Sequence, residues 1–297
     1  MDAAPVVTAD RVLRRLEWQV VRRLDGRLQG DHRTLMRGHG TDFRDLRDYE
    51  PGDDVRHIDW NVSARMDSLF VREYTEDREL TAWLLLDRSP SMGFGPVDRT
   101  KGDLLHEFSA TVAHLLIRDG NRVGAILYDN EVETVLPPRQ GRDQVLLLLR
   151  ALLQAPPAPG AVTDLGGLLD TAARLVRRRS LLIVVSDFIT VPGWEKPLRR
   201  LAARHEVIAV RLFDRREFEL PDAGLIAVQD AETGEQLLVD SSDPEFRRRL
   251  RAAGEERALE ARDATRRAGV DLHAISTDDD LVGSLVRLVE SRKRMRR

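Results

Sequence analysis

Five oxygen-bearing side chains occur at spacings typical of a divalent-cation site. Asp87, Ser89 and Ser91 alternate along a short stretch, and Thr163 and Asp187 follow much later in the chain. On a loop that leaves a strand, alternate positions point the same way, so the first three oxygens converge. Two carboxylates and three hydroxyls form an all-oxygen set suited to Mg²⁺, with Mn²⁺ and Ca²⁺ as alternatives. Because most of these ligands are neutral, the metal would accept a partner's carboxylate, which indicates a binding site rather than a hydrolytic centre.

Each part of this set also has a purely structural interpretation. An aspartate at a strand end followed by serines is an ordinary turn or helix cap. Thr163 and Asp164, which precede a predicted helix, form a common N-cap pair. The metal site is favoured because the three parts occur in the right order beside the right elements.

Apolar strands that alternate with helices predict how these side chains are positioned. The predicted parallel strands are residues 81–86, 123–128, 180–186, 206–213 and 270–276, with an antiparallel edge strand at 132–136. The predicted helices between and after them are residues 100–118, 142–153, 165–177, 196–204, 243–268 and 280–290. This alternation predicts an α/β fold with a doubly wound, mostly parallel sheet and helices on both faces.

The predicted sheet places the candidate ligands at one edge. In such a fold, ligands bind outside the carboxyl ends of the strands, where the strand order reverses. Asp87 and Asp187 each follow a predicted strand directly, and Thr163 precedes a helix on the intervening loop. We therefore expect the five side chains to meet on an exposed rim of the sheet.

The remaining chain is predicted to add an N-terminal segment and a hairpin. Residues 10–28 have the periodicity of an amphipathic helix, and residues 224–239 read as a β-hairpin within an insertion near 214–240. We divide the chain into an N-terminal helix and segment, residues 1–80, and an α/β domain, residues 81–297.

Composition excludes several classes of protein. The chain contains no cysteine, so disulfide scaffolds, thiolate metal sites and cysteine nucleophiles are excluded. A formal net charge of −3 argues against nucleic acid as the main partner. The longest apolar runs have about five residues, far fewer than the roughly 20 needed to span a bilayer. Since the first residues lack a signal-peptide core, we expect a cytoplasmic protein. Only three of the 47 basic residues are lysine, which we attribute to the codon usage of a GC-rich genome.

The pattern Asp87-x-Ser89-x-Ser91, then Thr163, then Asp187 resembles the metal-ion-dependent adhesion site of von Willebrand factor A-type domains. That family has a doubly wound α/β fold of roughly the size of residues 81–297. The resemblance implies that the three hydroxyls bind the metal, that the two aspartates bind it directly or through water, and that a partner's acidic side chain completes the shell.

A second resemblance lies upstream. Residues 43–60, FRDLRDYEPGDDVRHIDW, followed by Ser63-Ala64-Arg65, are similar to the signature of the bacterial family called domain of unknown function 58. Its charged side chains suggest a salt-bridge network with Trp60 as apolar anchor, or else a second interaction surface; they are Asp53, Asp54, Asp59, Arg47, Arg56 and Arg65. The family resemblance implies a non-enzymatic adaptor or chaperone-like partner of a MoxR-type AAA+ ATPase or of a client protein.

Two other functions remain as alternatives. The first is a metal-dependent, phosphatase-like hydrolase that uses Asp87, although haloacid-dehalogenase phosphatases carry a second carboxylate where this chain has Ser89. The second is a nucleic-acid-associated protein that uses the arginine-rich helix 243–268 and the basic tail 292–297. The chain has neither a phosphate-binding P-loop motif nor a Gly-x-Ser-x-Gly nucleophile motif.

Overall fold

The computed structural model describes residues 40–50, 53, 55, 58–66, 68–77, 80–96, 98–154, 163–231 and 234–295. The helix predicted for residues 10–28 lies outside these described residues. The strands are β1 (Gly40–Asp48), β2 (Phe70–Asp77), β3 (Thr81–Asp87), β4 (Arg122–Tyr128), β5 (Val132–Arg139), β6 (Leu181–Ser186), β7 (Glu206–Phe213), β8 (Leu225–Gln229), β9 (Gln236–Asp240) and β10 (Asp271–Ser276). The helices are α1 (Trp60–Met66), α2 (Lys101–Arg118), α3 (Arg142–Leu152), α4 (Leu165–Leu175), α5 (Glu195–Ala202), α6 (Pro244–Arg267) and α7 (Leu281–Met295).

Six strands form the central sheet in the order β10-β7-β6-β3-β4-β5. All neighbouring pairs are parallel except β4 and β5, which run antiparallel. The chain proceeds from β3 outward to β4 and β5 and then crosses to β6 on the other side of β3. The strand order therefore reverses between β3 and β6, and their carboxyl ends border the crevice where such folds bind ligands.

Helices cover both faces of this sheet, and the alternation of β3 shows why. Leu84 belongs to an apolar cluster with side chains of α2, α3 and α7, whereas Leu85 belongs to a second cluster with side chains of α4, α5 and α6. Both leucines are fully buried. Burying a leucine on each face stabilises the fold by about 1.5–3 kcal/mol per side chain, which explains the continuous apolar run of a doubly covered strand. The predicted doubly wound α/β fold is thus confirmed.

The inserted hairpin is also confirmed. Strands β8 and β9 pair antiparallel, from Leu225 opposite Asp240 to Gln229 opposite Gln236. They form a separate two-stranded sheet between β7 and α6 in the chain.

The segment before β3 contains an antiparallel pair, β1 and β2, with α1 between them. Asp59 caps α1, because its Oδ1 atom accepts hydrogen bonds from the main-chain N–H groups of Asn61, at 3.0 Å, and Val62, at 3.2 Å. The prediction of Trp60 as an apolar anchor is wrong, since this side chain is 66% exposed. Trp60 is the first residue of α1, and the short helix turns it away from the body of the protein. Asp54 and Arg56 lie outside the described residues, so the salt-bridge network stays a prediction.

Within the described residues, no helix combines the length and the apolar character needed to cross a membrane.

Candidate metal-binding site

Four of the five predicted ligands form one cluster at the crevice between β3 and β6. The Oγ atoms of Ser89 and Ser91 lie 3.0 Å apart, and Ser91 Oγ donates a 2.7 Å hydrogen bond to Asp187 Oδ2. Asp87 joins the cluster because its Oδ1 atom accepts a 2.9 Å hydrogen bond from the main-chain N–H of Ser89. The residues gathered here are therefore those that the alternating pattern predicted.

Local turn geometry explains how the serines reach Asp187. Ser89 has an extended backbone and is followed by the 3₁₀ turn Pro90–Gly93, whose first residue is a proline. Proline suits the first position of a helical turn because its fixed φ is already helical and its missing N–H is not needed there. The N–H of Arg88 binds the carbonyl oxygen of Tyr128 at 2.7 Å, which holds the start of the loop against β4.

Thr163 is held beside the loop that follows Asp187. Its carbonyl oxygen accepts hydrogen bonds from Thr190 Oγ1, at 2.7 Å, and from the N–H of Val191, at 3.1 Å. Thr190 Oγ1 also accepts a 2.9 Å hydrogen bond from the N–H of Leu165, the first residue of α4. One threonine thus ties the Thr163 loop, the start of α4 and the loop after β6 together.

The loop after Asp187 contains a strained residue. Phe188 has φ +60°, and it is the one non-glycine residue with a positive φ among the described residues. A left-handed conformation costs an L-residue roughly 1–2 kcal/mol, and such strain concentrates at functional sites. Here it lets the N–H of Ile189 turn back onto Asp187 Oδ1, at 2.9 Å.

The oxygen cluster fits a small divalent cation. Metal–oxygen bonds of about 2.0–2.1 Å in an octahedron place neighbouring oxygens about 2.9 Å apart. The Ser89–Ser91 and Ser91–Asp187 oxygen pairs, at 3.0 and 2.7 Å, are close to that edge length, which is also the length of an ordinary O–H···O hydrogen bond. In the described part of the chain no group of three or more His, Cys, Asp or Glu side chains could hold a metal ion, so a cation at this cluster would depend on the serine and threonine hydroxyls.

Sequence reasoning missed Ser186, the last residue of β6. Its hydroxyl donates a 2.6 Å hydrogen bond to Asp87 Oδ2 and accepts one of 2.9 Å from the N–H of Phe188. Ser186 therefore connects the carboxylate at the end of β3 to the loop after β6. The signal that could have found it is its position, because the final residues of β3 and β6 face the same crevice.

Sequence reasoning also missed Lys101 and Glu217. Lys101 is completely buried, and its Nζ atom lies 2.8 Å from Asp187 Oδ2 and 2.5 Å from Glu217 Oε1. The signal was present in the helical pattern, since Lys101 precedes Leu104 and Leu105 by three and four residues and so shares their buried face. Glu217 belongs to the 3₁₀ turn Arg215–Glu217 after β7, and no sequence pattern connects that turn to the crevice.

Electrostatics at the site depart from those of exposed groups. Burial, and next the charge of Asp187, raise the pKa of Asp87 to about 7. Burial acting alone would lower the pKa of Lys101, but the charges of Asp187 and Glu217 outweigh it and raise that pKa above its ordinary value. The site is therefore a desolvated cluster in which carboxylates repel one another and one ammonium group offsets them.

The expectation of an exposed rim is wrong for this conformation. Among the predicted ligands, Ser91 has the largest exposed fraction, 6%, and both aspartates are 1% exposed. The physical reason is that the carboxylates find internal partners, Lys101 and Ser186, in place of water.

Comparisons with other proteins identify relatives of this chain. The family model described as "Protein of unknown function DUF58" matches residues 45–260. The uncharacterized protein Rv1480 of Mycobacterium tuberculosis is 42% identical over 284 residues, which cover 95% of this chain and 89% of that protein. The uncharacterized protein YeaD of Bacillus subtilis is 27% identical over 114 residues, which cover 38% of this chain and 26% of that protein.

Solved structures with a related shape include the conserved hypothetical protein BatB of Bacteroides thetaiotaomicron. It has a TM-score of 0.46 and 13% sequence identity, and the match covers 73% of this chain and 98% of BatB. The fold assignment rests on the strand order itself. The match of the family model to most of the chain, together with the full-length similarity to Rv1480, shows that the chain belongs to the protein family of unknown function DUF58.

Proposed function

We propose that this protein is a non-enzymatic, metal-dependent protein-binding module of the cytoplasm. A Mg²⁺ ion, or Mn²⁺ or Ca²⁺ in its place, would be held by the hydroxyls of Ser89, Ser91 and Thr163 and by Asp87 and Asp187, directly or through water. The observation that carries the proposal is the cluster of serine and aspartate oxygens at the crevice between β3 and β6. When bound, the metal would supply a coordination position for an acidic side chain of the partner.

The neutral character of the donors supports binding rather than hydrolysis. Three of the five donor side chains are neutral hydroxyls, so the set supplies at most two negative charges to the cation. A hard cation in such a shell keeps a strong demand for a further anionic ligand. A carboxylate supplied by a partner satisfies that demand.

Metal and partner binding require the site to open. In the described conformation Ser91 Oγ donates a hydrogen bond to Asp187 Oδ2. A metal that takes both oxygens as ligands must therefore replace this hydrogen bond. We propose that the closed form is the metal-free state and that binding shifts the population toward a form in which the Thr163 loop and the loop after Asp187 move. Phe188 supports this, because its strained backbone stores energy at the moving segment.

Exposed apolar side chains on the same loops support a protein as the partner. Phe94 follows the serine turn and is 39% exposed, and Ile189 and Val191 follow Asp187 and are each 37% exposed. Apolar side chains beside a polar centre are typical of protein interfaces, where they supply affinity and exclude water from the central contact. The proposed contact therefore combines a metal–carboxylate bond with an apolar surround.

A MoxR-type AAA+ ATPase is the partner that we propose, because the family resemblance implies it. The test is to mix the purified protein with the purified MoxR-type ATPase of the same organism and to measure complex formation by analytical ultracentrifugation. We expect a complex in Mg²⁺ that is lost on chelation and in Ser91→Ala, but retained in Ser109→Ala, a buried serine of α2 away from the crevice. A complex that persists unchanged in chelator and in Ser91→Ala would contradict the proposal.

A further inference from the structure

We infer that Lys101 is an internal cation that competes with the divalent metal for Asp187, and that Glu217 receives its ammonium group when the metal binds. Lys101 would thereby set the affinity of the site for the metal, and hence the metal concentration at which the site fills. This inference rests on the metal site of the proposed function.

The geometry places the ammonium group on the oxygen that the metal would use. Asp187 Oδ2 accepts hydrogen bonds from both Ser91 Oγ, at 2.7 Å, and Lys101 Nζ, at 2.8 Å. The other oxygen of this carboxylate, Oδ1, accepts the N–H of Ile189 at 2.9 Å. With these donors in place, a metal that binds Asp187 through Oδ2 has to displace Lys101 or Ser91 from it.

Glu217 provides the alternative partner for the displaced ammonium group. Its Oε1 atom is 2.5 Å from Lys101 Nζ, so the group is already shared between two carboxylates. Lys101 is completely buried, and leaving a buried ammonium group without a carboxylate would be very costly. A small shift toward Glu217 frees Asp187 Oδ2 while the charge stays paired.

Charge balance explains why the ammonium group of Lys101 opposes the binding of the metal. The cluster contains the buried carboxyl groups of Asp87 and Asp187 and the half-buried one of Glu217, and Lys101 is the cation that contacts the last two. Arg211 adds a second positive charge, with its Nε atom 3.3 Å from the carbonyl oxygen of Asp187. A divalent ion added to this cluster is repelled by both cations, and repulsion between charges a few ångström apart is strong where water is excluded.

The exchange would also reach a second loop of the same edge. Glu217 closes the 3₁₀ turn Arg215–Glu217, and its Oε2 atom accepts a 3.1 Å hydrogen bond from the N–H of Asp214. Asp214 is fully buried and accepts a hydrogen bond from the hydroxyl of Thr277, which follows β10. Metal binding would therefore alter the contacts of a turn that links the ends of β7 and β10.

The test is calorimetric titration of Mg²⁺ into four forms of the protein. Lys101→Met removes the charge and leaves an unbranched side chain that is one atom shorter, so we expect it to bind Mg²⁺ about tenfold or more tightly than the wild type. Glu217→Gln removes the alternative partner, so we expect weaker binding than in the wild type. In the double variant, Lys101→Met with Glu217→Gln, we expect the same Mg²⁺ affinity as in Lys101→Met alone. No ammonium group remains for Glu217 to receive.

The matched control is Lys101→Arg, which keeps a positive charge at the position and should bind Mg²⁺ no more tightly than the wild type. Equal or weaker binding by a folded Lys101→Met would overturn the inference and leave the metal site standing. The absence of Mg²⁺ binding in every form would overturn the metal site of the proposed function as well.

A second measurement applies to the unaltered chain and does not depend on whether Lys101→Met folds. The protein has three lysines, Lys101, Lys196 and Lys293, so labelling lysine with ¹³C at the ε carbon gives three assignable NMR signals. Lys196→Arg and Lys293→Arg assign the other two. We expect Mg²⁺ to shift the Lys101 signal with the same concentration dependence as the calorimetric isotherm. Mg²⁺ binding that leaves this signal in place would overturn the inference.

Discussion

Ser91 and Asp187 are 96 positions apart in the chain, and the hydroxyl of Ser91 donates a 2.7 Å hydrogen bond to Oδ2 of Asp187. This contact joins the loop after β3 to the loop after β6 across the point where the strand order reverses. It places a neutral donor and a carboxylate at the separation of neighbouring ligands around a small cation. It also closes the crevice, so the same two atoms that would hold the metal hold each other without it.

The carboxyl group of Asp87 predicts a specific dependence of stability on pH in chelator. Burial, and then Asp187, raise its pKa from 3.8 to about 7, so the folded state binds this proton more tightly than the unfolded state does. The contribution to stability is complete below about pH 4 and is lost as the pH rises to about 7. Asp87→Asn, which cannot ionise, should therefore gain in unfolding free energy relative to the wild type between pH 5 and pH 8.

Urea denaturation at both pH values measures this gain. Because one pKa unit corresponds to about 1.4 kcal/mol, we expect the difference between the two proteins to change by at least about 1 kcal/mol over that interval. A difference that is constant with pH would show that Asp87 keeps an ordinary pKa.

Gly167 should not tolerate a side chain. A Cβ atom at this position of α4 would lie 2.3 Å from Oη of Tyr128 and 3.0 Å from Oδ2 of Asp164. Tyr128 is buried and pairs with Asp87 across β3 and β4, so its displacement would disturb the site. We expect Gly167→Ala to lower the unfolding free energy by about 1–3 kcal/mol in urea denaturation.

The control for that variant is Gly93→Ala on the serine turn. A Cβ atom there would meet no heavy atom within 4 Å, and we expect a change below about 0.5 kcal/mol. Because alanine is favoured over glycine within a helix by about 0.5–1 kcal/mol, an unfolding free energy that stays unchanged or rises in Gly167→Ala would show that the contact with Tyr128 does not limit this position.

The exposed parts of the apolar side chains on the loops of the crevice should contribute to partner binding. Ile189 is 37% exposed and Phe94 is 39% exposed, so replacing either with serine removes apolar surface that a partner could cover, together with the part that is buried within the chain. We expect Ile189→Ser and Phe94→Ser to weaken the Mg²⁺-dependent complex with the AAA+ ATPase by about tenfold or more. Binding is compared well below the thermal midpoint of each variant, so that a loss of buried apolar area is not mistaken for weaker binding.

Leu238→Ser serves as the control in the same binding assay. Leu238 is 66% exposed on β9 of the hairpin and lies outside the crevice loops. If Leu238→Ser weakened the complex and the two crevice variants did not, the hairpin would be the binding surface and the proposed contact would be wrong.

The strands of the central sheet could be predicted well from the sequence because each apolar run has clearly marked ends. Strand Glu206–Phe213 begins and ends where it was predicted to, and Arg122–Tyr128 begins one residue before its predicted start, since a charged residue opens each apolar run and an aspartate follows it. The same pattern placed Asp87 and Asp187 at the ends of β3 and β6, and parallel pairing then brought the two ends together. Local patterns are sufficient where strand ends define the site.

Features that depend on tertiary packing were missed or predicted wrongly. Glu217 enters the crevice through a turn that has no distinctive pattern, and Lys101 was treated only as one of few lysines although it lies on a buried helix face. The ion pair with Lys101 stabilises the buried Asp187, and hydrogen bonds from Ser186 and from the N–H of Ser89 stabilise the buried Asp87, so the predicted exposed rim failed for the same reason. The prediction for Trp60 was wrong for a different reason. Its apolar character predicts burial, but on a short helix the side chain faces outward.

Direct titration of Mg²⁺ into the metal-free protein tests the central claim most sharply. We expect a saturable isotherm with one site in the wild type and in Ser109→Ala, and its loss in Ser91→Ala and Asp87→Ala, because only the latter two remove ligands. Equal binding by the wild type and the two ligand variants, or no binding by the wild type at millimolar Mg²⁺, would contradict the account.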